Sequence, residues 1–258
     1  MMKKRYIVNE KHHVMLNDEL VLSNSTIVEA VHFANEALRT LSDTTKNFDI
    51  DIFEALGLRN LSGIVGEYCV KSVERHSDGI LVSNPHQDGY PDLLLVDTAE
   101  KREYFESLHT VVDGNTYPRE KEYFSPFKYG GIEVKATCGS TPPAHKVPKP
   151  LIGQQRISLV NGFDWKAHHR ETNNLLGIFW DFIDGLPTVA ACFYRNDLTA
   201  DDWGNIVQPT KGGGRTTSVS VMRAQGIRKM CAGWIMVIDL PEYIEAFSQN
   251  RWIGYRVS

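Results

Sequence analysis

The stretch GGIEVKATCG, residues 130–139, places two charged side chains in an otherwise apolar run. Successive side chains of a β-strand point to opposite faces, so Ile132 and Val134 would share one face. Glu133 and Lys135 would then share the other face. Two charges on one face of a buried strand cost desolvation free energy unless they are paired or solvated. The stretch therefore predicts a strand whose charged face is either ordinary and wet or part of a chemical site.

Two helices are predicted near the N-terminus. The first spans residues 26–41, where Thr26 and Glu29 have the spacing of a capping box and apolar residues recur along one helical face. The second spans about 61–75, with Asn60 as its N-cap. Glu67 lies on the flank of the apolar stripe of this second helix.

Apolar runs elsewhere predict the remaining strands. They cover residues 79–83, 93–97, 131–137, 157–160, 215–222, 233–239 and 252–257, with a hairpin of 175–182 and 188–194 joined through Asp184-Gly185. Residues 98–129 are polar and predict an insertion between two strands, and the Pro-rich residues 139–150 predict a loop. These elements indicate an α/β fold with a mixed central sheet flanked by helices, with the helices concentrated near the N-terminus.

Composition limits the class of protein. The chain has 258 residues, 42% of them hydrophobic, which is enough for a substantial core. It contains no apolar run of membrane-spanning length and no apolar signal segment near its start, so we expect no membrane association. The four cysteines, Cys69, Cys138, Cys192 and Cys231, have no C-x-x-C spacing, which favours reduced thiols in the cytoplasm.

Charge is distributed unevenly along the chain. The net charge is −4, but residues 140–258 carry 13 basic and 10 acidic residues, against 15 and 22 in residues 1–139. Residues 205–233 contain five cations and no acidic residue, namely Lys211, Arg215, Arg223, Arg228 and Lys229. A local basic surface can bind phosphates even on an acidic protein.

A second acidic motif lies upstream of the opening stretch. Pro91-Asp92 is the only Pro-Asp in the chain, and it leads into an apolar run at 93–96. An acid followed two residues later by Lys occurs only at Glu133-Val134-Lys135 and at Asp164-Trp165-Lys166. Only the first of these triplets lies in a strand-like apolar run.

These two motifs together resemble the PD-(D/E)XK nuclease superfamily and, within it, the type II restriction endonucleases. The residues that carry the resemblance are Pro91, Asp92, Glu133 and Lys135, although Glu133 follows Asp92 by a long interval of 41 positions. Glu67 matches the place where many members keep an additional acid. The resemblance implies a restriction-endonuclease-like core in a single nuclease domain, with a helical part at about 1–78 and a catalytic and DNA-binding core at about 79–258.

The resemblance also implies a function. It points to cleavage of double-stranded DNA at a short specific sequence, with Mg²⁺ as cofactor and Mn²⁺ as a substitute, and with 5′-phosphate products. Restriction enzymes often act as homodimers on palindromic sites, and the host would carry a cognate DNA methyltransferase. Two alternatives remain open, a repair or junction-resolving nuclease of the same fold and a non-catalytic DNA-binding protein.

The residue types suit metal-assisted hydrolysis. Mg²⁺ prefers hard oxygen ligands, which Asp92, Glu133 and Glu67 could supply. Lys135 would orient the attacking water or stabilise the charge that develops on the phosphate. The alternative is a solvated strand face carrying an ordinary Glu–Lys pair.

The expected DNA-binding surface centres on residues 205–233, with Arg215 as the leading contact. In the predicted strand 215–222, the valines at 219 and 221 would anchor the core and leave a row of hydroxyls free to contact DNA. Asp164-Trp165-Lys166 is expected to be structural or to face DNA. The full set of expected DNA-binding residues is Lys146, Lys149, Arg156, Lys166, Arg170, Lys211, Arg215, Thr216, Ser218 and Arg223. An amphipathic edge strand with solvated hydroxyls is the alternative.

Overall fold

A computed structural model describes residues 3–86, 89–125, 127–168, 170–208 and 218–249. The helices are α1 (Asn24–Lys46), α2 (Ile52–His76), α3 (Ala99–Ser107), α4 (Ala224–Ala232) and α5 (Pro241–Gln249). The strands are β1 (Tyr6–Val8), β2 (Val14–Met15), β3 (Val21–Leu22), β4 (Leu81–Ser83), β5 (Leu93–Leu95), β6 (His109–Val112), β7 (Asn115–Pro118), β8 (Gly131–Thr137), β9 (Lys166–Ala167), β10 (Leu175–Ile183), β11 (Leu186–Arg195), β12 (Ser220–Val221) and β13 (Trp234–Ile238).

Seven strands form one mixed sheet in the order β1-β13-β11-β10-β8-β5-β4. Strands β8 and β10 are parallel, and the other neighbours are antiparallel. The α/β class and the mixed central sheet are therefore confirmed. The predicted hairpin is also present, because β10 and β11 are joined through Asp184 and Gly185, both with positive φ.

Helices α1 and α2 pack on one face of this sheet, but both begin earlier than predicted. The N-cap of α1 is Ser23, whose hydroxyl accepts the Thr26 N–H at 3.1 Å. The N-cap of α2 is Asp51, whose carboxylate accepts two N–H groups of the first turn, and the helix is kinked at Gly57, where φ is 68°. The predicted caps at Thr26 and Asn60 are therefore wrong, since both residues lie inside helices.

The opposite face is covered by the short helices α4 and α5 and part of the long connection from β8 to β10, while the two long helices lie near the N-terminus as predicted. Within this connection, the strand predicted at 157–160 is instead the 3₁₀ turn Ile157–Leu159. Its start is held by the buried carboxylate of Asp181, which accepts the N–H groups of Arg156 and Ile157 at 2.9 Å. A predicted strand at 252–257 lies outside the described residues.

Strand β8 has the predicted bounds and the predicted alternation. Ile132 and Val134 are buried in the same core as α1 and α2. Glu133 and Lys135 point to the other side, next to each other. Its central position in the sheet, between β5 and β10, fixes where these charges lie.

Two further observations bear on the sequence expectations. Within the part of the chain that the structure describes, no helix is long and apolar enough to cross a membrane. All four cysteines are buried free thiols, as their spacing predicts.

Candidate active site

The carboxylate of Asp92 lies at the point where β5 stops pairing with β8. Leu93 is paired with Ile132 in an antiparallel register, so Asp92 stands opposite Glu133 one step further along. The carbonyl of Asp92 accepts the N–H of Asn84 at 2.9 Å, which fixes its backbone. Its Oδ2 atom accepts the Val134 N–H at 2.8 Å. The side-chain carboxylate of Asp92 thus binds a backbone N–H of β8 just beyond the last paired residues of β5 and β8.

Lys135 joins the two acidic groups. Its Nζ atom lies 2.5 Å from Oε1 of Glu133 and 3.2 Å from Oδ2 of Asp92. The side chains of Asp92 and Lys135 are 28% and 22% exposed, whereas Glu133 has no exposed surface. The structure therefore brings together the three residues that the sequence singles out, with the ammonium bridging two carboxylates.

Glu133 is poorly satisfied in this position. Its oxygens form an ion pair with Lys135, but neither has a hydrogen bond of good geometry among the described residues. Burial raises the pKa of Glu133 to about 7, against the lowering effect of the Lys135 ammonium, and the Asp92 carboxylate adds to the rise. Burial therefore favours the neutral form of this carboxyl group, whereas the Lys135 ammonium favours its charged form.

For Lys135, the neighbouring carboxylates affect the pKa more than burial does. Burial alone would lower the pKa of Lys135, but the Glu133 and Asp92 carboxylates outweigh it and raise that pKa above its ordinary value. The side chain is therefore a cation at neutral pH. It can donate hydrogen bonds or stabilise negative charge, but it cannot accept a proton.

Glu67 lies beside this cluster, on α2. It shares a cavity of about 180 Å³ with Asp92 and Lys135. Ser62, Gly63 and Gly66, on the same stretch of α2, have small side chains or none, which leaves this space next to β8. No group of three or more His, Cys, Asp or Glu side chains is arranged to hold a metal ion within the described residues.

A larger cleft continues from Lys135 along β8. Its volume is about 610 Å³, and Lys135 lines both this cleft and the smaller cavity. One wall is the α2 segment with Leu58, Arg59 and Ser62, and the other is formed by β9, β12 and their neighbours. The complete lining is Leu58, Arg59, Ser62, Lys135, Ala136, Thr137, Cys138, Gly139, Asp164, Lys166, Ala167, His168, Val219 and Val221.

The expected DNA contacts of residues 140–170 are found in different environments. Lys166 lines the cleft, and Lys146 and Lys149 are exposed on the loop that follows β8. Arg170 donates to the carbonyl of Ala200 at 2.6 Å. Arg156 is buried, and its Nε donates to the Cys138 carbonyl at 3.4 Å, so the structure does not support its expected contact with DNA.

The basic segment 205–233 is described only in part, since Lys211, Arg215 and Thr216 lie outside the described residues. Arg223 is exposed. The Ser218 hydroxyl donates to Gln208 Oε1 at 2.6 Å, so its proton is already used in a hydrogen bond within the protein.

The predicted faces of the strand at 215–222 are wrong where the structure describes it. Ser220 is the buried residue, and its hydroxyl donates to the Gly204 carbonyl at 2.7 Å. Val221 is 39% exposed and lines the cleft, as does Val219. Among the described residues of this strand, the Ser220 hydroxyl is therefore not available to DNA, because it is buried and hydrogen-bonded to the Gly204 carbonyl.

Sequence patterns missed Arg59, which lines the cleft opposite β9. The predicted helix began at residue 61, so Arg59 fell outside it. The missed signal was Gly57, whose φ of 68° interrupts α2, so that the helical segment carrying Arg59 begins just after this glycine.

No protein-family model matches the chain, and neither a curated protein nor a solved structure matches it. A function therefore has to follow from the chemistry around Lys135. Two carboxylates, one ammonium and an adjoining cleft could hold a divalent cation and stabilise negative charge on a substrate that lies in the cleft.

Proposed function

We propose that the protein is a magnesium-dependent type II restriction endonuclease, which hydrolyses phosphodiester bonds in double-stranded DNA at a short specific sequence. The observation that carries this proposal is the convergence of Asp92, Glu133 and Lys135, residues that are separated by up to 43 positions in the chain. The antiparallel strands β4, β5 and β8, followed by parallel β10, are compatible with a restriction-endonuclease-like core.

Two neighbouring carboxylates support Mg²⁺ as the cofactor, although no larger group of acids is arranged for a metal within the described residues. This ion is usually held by one or two protein carboxylates, with water and substrate phosphate in the remaining positions. Asp92 and Glu133 would hold it, and the Glu133 oxygens are buried without a hydrogen bond of good geometry among the described residues. Glu67 would assist from the adjoining cavity. When bound, Mg²⁺ or Mn²⁺ polarises the scissile phosphate and lowers the pKa of a bound water.

Lys135 would act as a hydrogen-bond donor and a cation. In the metal-free protein, the two carboxylates raise its pKa, so its ammonium is protonated before a metal ion binds. Its role is to orient the attacking water by hydrogen bonding or to stabilise the charge that develops on the phosphate. Attack of water at phosphorus with departure of the 3′ oxygen leaves a 5′-phosphate end.

The biological setting follows from this activity. A homodimer would match the two-fold symmetry of a palindromic site. A cognate methyltransferase in the host would protect its own DNA, and both enzymes would act in the cytoplasm.

The decisive experiment is digestion of a plasmid of known sequence by the purified chain with Mg²⁺, followed by sequencing of the ends. Discrete fragments with a common end sequence are expected. Cleavage confined to branched or damaged DNA would instead indicate a repair or junction-resolving nuclease. DNA binding with no cleavage under any metal would indicate a non-catalytic DNA-binding protein.

Matched variants connect the activity to the site. Asp92→Asn and Glu133→Gln remove one charge each with little change of shape, and both should abolish cleavage while DNA binding remains measurable. Glu103→Gln removes an exposed carboxylate from α3 and should cleave like the wild type. A greater loss of cleavage rate in Asp164→Ala than in Glu133→Gln would show that the other acid-x-Lys triplet is catalytic.

A further inference from the structure

Asp164 is held in a defined orientation at the cleft beside Lys135. The Gly139 N–H donates to the Thr137 hydroxyl oxygen at 3.0 Å, and that hydroxyl is within hydrogen-bond distance of Asp164 Oδ1. Since Thr137 accepts from Gly139, its single proton is free to donate to the carboxylate. Thr137 is buried at the end of β8, so this chain of hydrogen bonds connects Asp164 to the strand that carries Lys135.

Lys166 completes the arrangement. Its Nζ atom lies 2.8 Å from Asp164 Oδ2, and the two side chains are 53% and 33% exposed. An exposed ion pair of this kind contributes little to stability. Because the carboxylate already neutralises the ammonium, the pair is also a weak anchor for a phosphate. It does present a donor and an acceptor side by side in a cleft that leads to Lys135.

The usual base partners of Lys and Asp favour a G·C pair over an A·T pair, whose adenine N7 and N6 amino group are usually read by Asn or Gln. In the major groove, a G·C pair presents the acceptors N7 and O6 of guanine beside the N4 amino donor of cytosine. Lys commonly donates to the guanine acceptors, and Asp accepts from the cytosine amino group. An adjacent Lys166 and Asp164 therefore match a G·C edge.

The position along β8 sets the distance from the cut. Thr137 follows Lys135 by two residues, which is about 7 Å at the rise of a β-strand. Successive base pairs of duplex DNA are about 3.4 Å apart. With β8 running along the duplex axis, a base read beside Thr137 would lie about two steps from a phosphate held at Lys135.

We propose that Asp164 and Lys166 read a G·C base pair about two steps from the scissile phosphate. This inference rests on the proposed function and specifies part of its recognition sequence. Arg59 lines the same cleft from α2 and would contact the DNA backbone. The wall with β9 is fixed by His168, whose Nδ1 lies 2.8 Å from the Ser218 carbonyl and therefore carries its proton.

The test is cleavage of a randomised duplex library with Mg²⁺, followed by sequencing of the cut ends, for the wild type, Lys166→Met and Asp164→Asn. The wild-type site should contain a G·C pair within about three base pairs of the cut. Both variants should lose that requirement alone, with cleavage of the original site slowed about tenfold or more. Arg5→Ala, at an 87% exposed side chain beside β1, should keep the wild-type preference.

Thermal unfolding establishes that each variant is folded. Should Asp164→Asn fail to fold, Lys166→Met still provides the test, because its side chain is half exposed. A wild-type site without G·C near the cut, or a requirement that both variants retain, would overturn this inference and leave the nuclease activity standing. A wild type that cuts no DNA would overturn the proposed function and this inference with it.

Discussion

The ammonium of Lys135 lies 2.5 Å from Oε1 of Glu133, a carboxylate that has no exposed surface. The same ammonium contacts Asp92 at 3.2 Å, so one cation serves two acids. A buried charge that loses its partner is strongly destabilising. A divalent cation held by the same two carboxylates would compete with the lysine for them.

Lys135→Met tests this competition. We expect the metal-free variant to lose about 1–3 kcal/mol of unfolding free energy at pH 7, because the buried Glu133 carboxyl group loses its ion pair and becomes protonated. Added Ca²⁺ should stabilise the variant more than it stabilises the wild type, since no ammonium then opposes the ion. Urea unfolding with and without Ca²⁺ measures both effects, and cleavage with Mg²⁺ should fall by about 100-fold or more. Equal stabilisation of the two proteins by Ca²⁺ would contradict the competition.

Glu67→Gln tests the acid on α2. Its carboxylate shares the small cavity with Asp92, so loss of its charge should weaken metal binding without removing the main ligands. We expect the Mg²⁺ concentration for half-maximal cleavage to rise roughly tenfold. Titrations with Mg²⁺ and Mn²⁺ measure this shift, with Glu103→Gln as the control. Unchanged titrations would make Glu67 an ordinary surface residue.

The sequence predicted the centre of the site because the pattern there is local. The alternation in β8 is unbroken over seven residues, so its bounds and its charged face could be predicted. Asp92 could be placed opposite Glu133 only through the family resemblance, since no local pattern specifies pairing between strands 41 positions apart. The structure supplies that pairing through the register of Leu93 with Ile132.

Elsewhere the deciding interactions are not local. Ser23 and Thr26 are both good N-cap residues, and the spacing of Thr26 to Glu29 favoured the wrong one. In β12, Ser220 is buried because it donates to the Gly204 carbonyl, a contact that alternation cannot reveal. Helix α4 has only nine residues and no side-chain cap, so it carries little signal of its own.

Gly131→Ala tests how closely β5 and β8 must approach each other. Gly131 has a φ of +127°, which other residues rarely adopt, and a Cβ there would lie 2.2 Å from the Leu93 carbonyl oxygen. We expect a loss of more than about 2 kcal/mol in unfolding free energy and a large loss of cleavage, because Asp92 and Glu133 are positioned by this pairing. Urea unfolding and plasmid cleavage measure the two effects. In Gly63→Ala, where a Cβ has no neighbour within 4 Å, stability should be unchanged or higher. A fully stable Gly131→Ala would show that the strands tolerate a shift.

Asp202→Asn tests whether Lys229, one of the five cations of residues 205–233, has a structural role. Asp202 is buried, and its Oδ2 accepts from Lys229 Nζ at 2.7 Å and from the Thr199 N–H at 2.8 Å. Burial alone would raise the pKa of Asp202, but these two donors outweigh it and hold that pKa below its ordinary value. A lowered pKa in the folded state means that the ionised group stabilises the fold above the ordinary pKa of the acid.

That stabilisation is lost as the pH falls through the lowered pKa. Asp202→Asn should therefore cost about 2 kcal/mol of unfolding free energy at pH 7, and the difference from the wild type should narrow below about pH 4. Urea unfolding across this pH range measures the difference, with the exposed neighbour Asp201→Asn as the control. A difference that stays constant with pH would show that the charge of Asp202 does not stabilise the fold. Lys229 would then be available to contact DNA, whereas the expected result assigns it to holding α4 against the turn Ala200–Asp202.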